Sequence, residues 1–333
     1  MKKIFMLFIS ILLLTGCGKM NQNKIVDNFI DKVESSKAYS LKGKMNIYNG
    51  EDTFTYDINV SYMDDDFFKV EMVNSLTNHQ QYILRNNDEV YVVTPSLNKS
   101  YKFISEWPYN SSQSYILNTI VKDLKDNEVT DFTSDDNGYS VKVNVNYPNN
   151  KDLSYEKVYF DKKGNLSSVV VYNTEDIISI KVDFTDIDYK ANLKEEDFDV
   201  DQLVDENCCS GRFNTEQTAS LDDVIYPLYV PTNTFLKGKE VVNTENGERA
   251  ILTFNGDKNF VLIEETSLAS EEFEIIPVYG DPLMLSNTIG ALGSNSLSWT
   301  VGNVNYYLTS NDLTTSEILN IADSLNMTVA LEK

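Results

Sequence analysis

The chain has 333 residues, with 28 Lys and Arg against 51 Asp and Glu, for a net charge of −23. That balance argues against nucleic acid as a partner and against a polybasic attachment to anionic lipid. Three Cys and one His leave little material for catalysis or metal binding, and at about 150 residues per domain the length suits two domains.

Met1-Lys2-Lys3 is followed by Ile4 to Leu14 without a charge, and then by Thr15-Gly16-Cys17. A basic start, an apolar run and small residues before a cut form a secretory signal. The run is short of the roughly 20 residues that span a bilayer. A buried first helix and a true membrane anchor are the alternatives. Leu14-Thr15-Gly16-Cys17 resembles the bacterial lipobox, where lipid joins the Cys sulfur and cleavage falls before it. The expectations are a signal over residues 1–16, a lipidated, palmitate-type anchor at Cys17, and a polar tether over 17–23. Two acyl chains hold stably, at about 0.8 kcal/mol per buried methylene. Loss of Lys2 and Lys3 takes the net charge from −23 to −25. The bland meaning of that charge is solubility at a crowded outer surface; the sharper one is a cationic partner.

Residues 24–36 read as a helix, with Ile25, Val26, Phe29, Ile30 and Val33 on one face. Strands then dominate. Phe54, Tyr56, Ile58, Val60 and Tyr62 alternate with polar residues, as do Val141, Val143 and Val145, and Ile178, Ile180, Val182 and Phe184. Asn49-Gly50, Asn86-Asn87-Asp88, Asn137-Gly138 and Lys163-Gly164-Asn165 supply turns. Such close spacing predicts antiparallel meanders, not βαβ units. A helix is expected at about 111–125, with Ser111 or Ser112 as its cap.

Apolar periodicity fades over 201–220, where acidic residues lead into Cys208-Cys209; the expectation is an acidic linker. These neighbouring Cys are open to a vicinal disulfide, two free thiols or a thiolate pair for a metal. From 221 to 333 a small α+β domain is expected, with strands at Arg249–Phe254, Asn259–Glu264, Leu297–Val301 and Val304–Thr309. Its last helix begins at Thr314, where Thr314-Thr315-Ser316-Glu317 fits a capping box.

The search for chemistry returns few candidates. His79 lacks a nucleophile pattern and reads as a surface or edge-strand residue. Asp64-Asp65-Asp66 lacks the ligand spacing of a calcium loop and reads as a solvated turn; Asp135-Asp136-Asn137-Gly138 reads likewise. The expectations are therefore no catalytic residue, no metal and no cofactor. A hydrolase using two carboxylates is the enzyme alternative. The 20 Tyr and 16 Phe are the positive anomaly. Their bland reading is strand packing; their functional one is an aromatic-lined concave sheet holding an acyl chain or a protein segment. Trp107, Tyr109 and Tyr115 are the candidate binding or lid residues.

The leading helix, the long meander and the inserted helix resemble the lipoprotein-carrier (LolA-like) fold. Val158-Tyr159-Phe160-Asp161, the turn at Gly164, Val169–Tyr172, Phe184–Ile187 and Phe198 carry that likeness over 24–200. Trp107-Pro108-Tyr109-Asn110, Gln113-Ser114-Tyr115-Ile116-Leu117 and the order of parts resemble the YdcC-like and GerS-like lipoproteins of endospore-forming bacteria. Tyr229-Val230-Pro231, Phe260-Val261-Leu262-Ile263, Leu297-Ser298-Trp299 and Ile321-Ala322-Asp323-Ser324-Leu325 resemble a module found at the end of such proteins. The resemblance implies a mainly β (α+β) protein: an unclosed, curved antiparallel sheet with a helical lid, then a small α+β domain. It implies a non-enzymatic binding or scaffold protein of sporulation or germination, licensing a cortex peptidoglycan amidase. It places the protein on the outer leaflet of the cell membrane, in the spore the membrane facing the cortex. The alternative it carries is a lipid or lipoprotein carrier, or an envelope-stress sensor.

Overall fold

The computed structural model describes residues 20–50, 52–64, 66–205, 221, 224–244, 247–267, 269–270 and 272–331. Cys17, Cys208, Cys209 and most of the expected linker lie outside the described residues. Among the described residues no helix is long and apolar enough to cross a membrane.

Helix α1 (Gln22–Glu34) starts where Asn21 accepts a hydrogen bond from the Lys24 amide, satisfying one orphan donor of the first turn. It buries Ile25, Val26, Phe29 and Val33, the face its periodicity predicts. Six strands follow in a meander: β1 (Ala38–Asn49), β2 (Asp52–Met63), β3 (Phe67–Asn74), β4 (Gln80–Asn86), β5 (Glu89–Thr94) and β6 (Lys99–Phe103). Helix α2 (Leu117–Asp126) precedes a second meander of β7 (Asp131–Ser134), β8 (Tyr139–Asn144), β9 (Leu153–Phe160), β10 (Leu166–Asn173) and β11 (Ile178–Asp188). Antiparallel pairing of β1 with β11 joins the two into one unclosed sheet.

That sheet is strongly curved. In its strand order β4 and β9 lie six positions apart, about 29 Å if flat at a strand spacing of about 4.8 Å. Yet Ile83 of β4 and Leu153 of β9 line one cavity. One cause sits in β1, where the β1–β11 register shifts between Lys42 and Gly43. A Cβ at Gly43 would lie 2.7 Å from the Asp183 carbonyl oxygen, so only glycine admits this close approach at the bulge.

The concave face carries α1, α2 and a core that includes Phe29, Leu41, Phe68, Trp107, Ile120 and Phe160. The acidic stretch after β11 is ordered around apolar contacts. A 3-10 turn (Glu195–Phe198) and the short helix α3 (Val200–Asp205) set Phe198, Val200 and Leu203 on the convex face, against Phe67, Tyr82, Leu84, Tyr91 and Val93. Strands β4 and β5 are thus covered on both faces, which explains their unbroken apolar runs.

The later part of the chain forms β12 (Thr234–Thr244), β13 (Gly247–Gly256), β14 (Phe260–Thr266), β15 (Glu274–Val278), β16 (Asp281–Met284), β17 (Ile289–Leu292), β18 (Ser296–Val301), β19 (Val304–Thr309) and helix α4 (Thr315–Leu331). All but β15 make a seven-stranded antiparallel sheet. Its core of Leu252, Phe260, Leu262, Leu297, Trp299 and Leu308 packs against Ile318, Ile321 and Leu325 of α4. The expected capping box is present: the Thr314 amide donates to Glu317 Oε2 at 2.8 Å, and the Glu317 amide donates to Thr314 Oγ1 at 3.3 Å. Strand β15 leaves this sheet and pairs in parallel with β6, from Glu274 opposite Lys99 to Val278 opposite Phe103. Ile289 and Ala291 of β17 join the first sheet's core. The two sheets therefore share a strand pairing and a core boundary.

Helix α2 begins later than the cap signal suggested. Ile116 holds the N-cap position and gives no side-chain bond. Ser112 is engaged elsewhere: its amide donates to the Asn146 carbonyl at 2.7 Å, and its Oγ accepts from the Asn146 amide at 2.8 Å. Residues 110–116 become a strap across the concave face instead of a first helical turn.

Candidate functional site

A cavity of about 450 Å³ lies between the concave sheet, the strap and the later part of the chain. Its floor is apolar: Met45 and Ile47 of β1, Ile83 of β4, Ile180 of β11 and Leu319 of α4. Its rim is rich in amides, with Asn49, Asn110, Gln113, Asn149, Asn150, Asn173 and Asn320. Exposed Gly50, Pro148, Asp152 and Ile177 mark the mouth. The two carboxylates in the lining are Asp152 and Asp323, and Asp323 Oδ1 accepts from the Ser286 amide at 2.9 Å. No Lys, Arg or His is among the described residues that line it.

Of the three aromatic candidates, two meet here. Trp107 is buried and forms a wall. It stands edge-on to Phe68 at 6.3 Å between centroids, and its carbonyl accepts from Arg85 Nη1 at 3.0 Å. Tyr115 lines the cavity and donates to Gln113 Oε1 at 2.7 Å. Tyr109 turns away from it: its hydroxyl donates to Asp66 Oδ1 at 2.8 Å, and Arg85 Nη2 approaches Asp66 Oδ2 at 3.6 Å. Asp66 in the β2–β3 turn is thus tied to Tyr109, just before the strap, as well as open to solvent.

Residues the sequence did not single out set the electrostatics. Glu156 shares the inward face of β9 with Val158 and Phe160 and is fully buried, with both carboxylate oxygens lacking a hydrogen bond. Burial pushes its pKa well above the usual carboxylate range, and Asp123 adds to the rise. Asp123, on the inner face of α2, is pushed up to about 6 by burial, and its Oδ2 is also unpartnered. Tyr147 lines the cavity and feels both charges; burial, then Glu156 and Asp123, raise its hydroxyl pKa. The signal was legible in Tyr155-Glu156-Lys157-Val158, where a carboxylate takes a core position in a period-2 strand. His79 sits in the β3–β4 turn, its carbonyl accepting from the Asn74 amide at 2.9 Å. Among the described residues no three His, Cys, Asp or Glu side chains gather as a metal site.

The fold and cavity define a mainly β protein with an unclosed curved sheet, whose later part closes over the concavity. The chain belongs to the YdcC-like sporulation protein family, matching it over residues 1–198. It is 33% identical over 321 residues to the sporulation protein YdcC of Bacillus subtilis, covering 95% of this chain and 94% of that one. Among solved structures it is similar to a chain of the Pseudomonas aeruginosa MucA/MucB complex, at 11% identity and a TM-score of 0.31, over 91% of this chain and 97% of that one. It is also similar to a chain of the complex between the Clostridioides difficile CwlD amidase and the GerS lipoprotein, at 15% identity and a TM-score of 0.32, over 53% of this chain and 100% of that one. At that level the solved structures define no residue correspondence.

Proposed function

We propose that the protein is a non-catalytic, lipid-anchored binding protein of sporulation or germination, holding a cell-envelope protein at the membrane facing the spore cortex. A cortex-processing amidase is the partner this reading favours. Membership of the sporulation family, with 33% identity to a sporulation protein across 95% of the chain, supports the sporulation role. The observation that carries binding over lipid transport is the occupancy of the concave face. Helices α1 and α2 with Ile289 and Ala291 occupy much of it, leaving separate cavities of about 450 Å³, with an amide rim, and about 260 Å³. An acyl carrier needs a long apolar cleft in that place; a scaffold needs a rigid surface. Lipid on Cys17 fixes the protein to one membrane, and a tether of seven residues reaches at most roughly 25 Å.

Deletion of the gene is expected to leave vegetative growth normal and to alter cortex muropeptides or germination. Normal cortex and normal germination in the deletion would overturn the proposal. Cys17→Ala is expected to move the protein from the membrane to the soluble fraction and to abolish labelling with radioactive palmitate.

A further inference from the structure

Several oxygens in and behind the cavity wall lack a hydrogen-bond donor. Ser114 is 1% exposed; its hydroxyl hydrogen-bonds to Tyr147, and no donor reaches its oxygen. Asn110 donates through Nδ2 to Asp281 at 3.1 Å, while its buried Oδ1 accepts nothing. Behind this wall lie three more unpartnered oxygens, Oδ2 of Asp123 and both of Glu156. A buried polar atom left unpaired is destabilising. All these atoms are able to accept, and the lining supplies no cation to serve them. An anionic guest would meet Asp152 and Asp323 with no compensating cation in the lining, so the cavity disfavours carboxylates and phosphates.

The rest of the lining narrows the guest further. An apolar floor suits a methylene stem. Rim amides carry donor and acceptor together, the pairing that peptide units need. A volume of about 450 Å³ is that of a small-ligand site, which spans about 300–1,000 Å³.

We infer that the cavity receives a lysine or arginine side chain from an extended segment of the partner protein. The floor takes the stem, Asn110 and Ser114 accept from the cationic head, and the rim amides pair with the flanking backbone. This rests on the reading of the chain as a partner-binding protein. It also gives the strongly acidic balance a local use.

The test uses the full chain in a lipid nanodisc, with Trp299→Phe leaving Trp107 as the sole indole of the two in the sequence. Four probes are titrated against Trp107 fluorescence: the N-acetyl methylamides of lysine, norleucine and glutamate, and sodium octanoate. The lysine probe is expected to bind at least tenfold more tightly than norleucine, which shares its stem, with glutamate and octanoate weaker still. Ser114→Ala combined with Asn110→Ser is expected to remove most of the lysine advantage, with a much smaller effect on norleucine. Circular dichroism checks that this variant folds; if it does not, Asn110→Ser alone serves the same comparison. Equal binding of lysine and norleucine, no response to lysine, or preference for glutamate overturns the inference. Preference for octanoate overturns it in favour of a lipid guest. If lysine selectivity is absent but the deletion alters the cortex, the inference alone fails. If selectivity holds but the deletion is normal, the sporulation reading alone fails.

Discussion

Asp123 and Glu156 face each other across the α2–sheet boundary, and their protons bear on stability. A carboxyl has an unfolded pKa of about 3.9 to 4.3. Burial raises Asp123 to about 6 and lifts Glu156 well above the usual carboxylate range, so the native state binds more protons above the unfolded values. Stability from this pair is therefore complete below about pH 4 and falls as pH rises through 6. At about 1.4 kcal/mol per pKa unit, ionising Asp123 costs on the order of 2–3 kcal/mol. Ser112, Lys122 and Asp126 also act on Asp123, with smaller effects than burial, and Tyr147 faces both carboxyls. Glu264, pushed up to about 7 by burial, acts in the same direction elsewhere. The informative quantity is thus a difference. Asp123→Asn minus wild type is expected to be near zero at pH 4 and to reach a gain of about 2 kcal/mol at pH 7. Urea melts at the two pH values measure it; a gain equal at both would refute the linkage.

At the scale of elements, what the sequence announced and what it concealed differ by exposure. Strand β2 was legible because its apolar residues turn inward in alternation, a pattern that survives in the burial from Tyr56 to Val60 and fades at both ends. The last helix was legible because its capping box is purely local. Strand β12 was hidden because nearly all of it is exposed, and β17 because all four of its residues are buried; neither has a period to read. The start of α2 was misplaced because Ser112 is an equally good partner for Asn146, and only tertiary structure decides between them. Of the cavity lining, Trp107 and Tyr115 were among the aromatic candidates, while nothing local in the sequence sets apart Asn110, Ser114 or Tyr147. Gly43 is the element-scale feature most open to trial. Gly43→Val puts a branched side chain against the Asp183 carbonyl and is expected to cost about 2–4 kcal/mol. Gly238→Val, at a position with nothing within 4 Å, is the control and is expected to cost little. Equal losses in the two would show that Gly43 does not set the bend.

At the scale of the molecule, the two sheets behave as one body if their shared contacts matter. Tyr56 donates to the Ser286 carbonyl at 2.9 Å, and Gln81 Oε1 accepts from the Ile289 amide at 3.2 Å, both in buried settings. Ser105 Oγ donates to Asp281 Oδ1 at 2.6 Å, and the Ser270 amide to the Leu97 carbonyl at 3.0 Å. Strand β15 covers the edge that β6 would otherwise present to solvent. Separating the parts would strand these groups without partners and bare Ile289 and Ala291 together with the surface they cover. Unfolding one part alone therefore costs most of what it costs to unfold both, and the transition should be cooperative. The two tryptophans report on opposite sides of the boundary, Trp107 in the curved sheet's core and Trp299 in the second core. Single-tryptophan variants, Trp299→Phe and Trp107→Phe, are melted in urea and followed by far-ultraviolet dichroism as well as fluorescence. Within each variant the two probes are expected to give one midpoint, agreeing to within about 0.2 M. A fluorescence midpoint well apart from the dichroism midpoint would mean that the halves unfold separately. The cavity between them would then open and close with a hinge, and its shape would be set by the partner instead of by the fold.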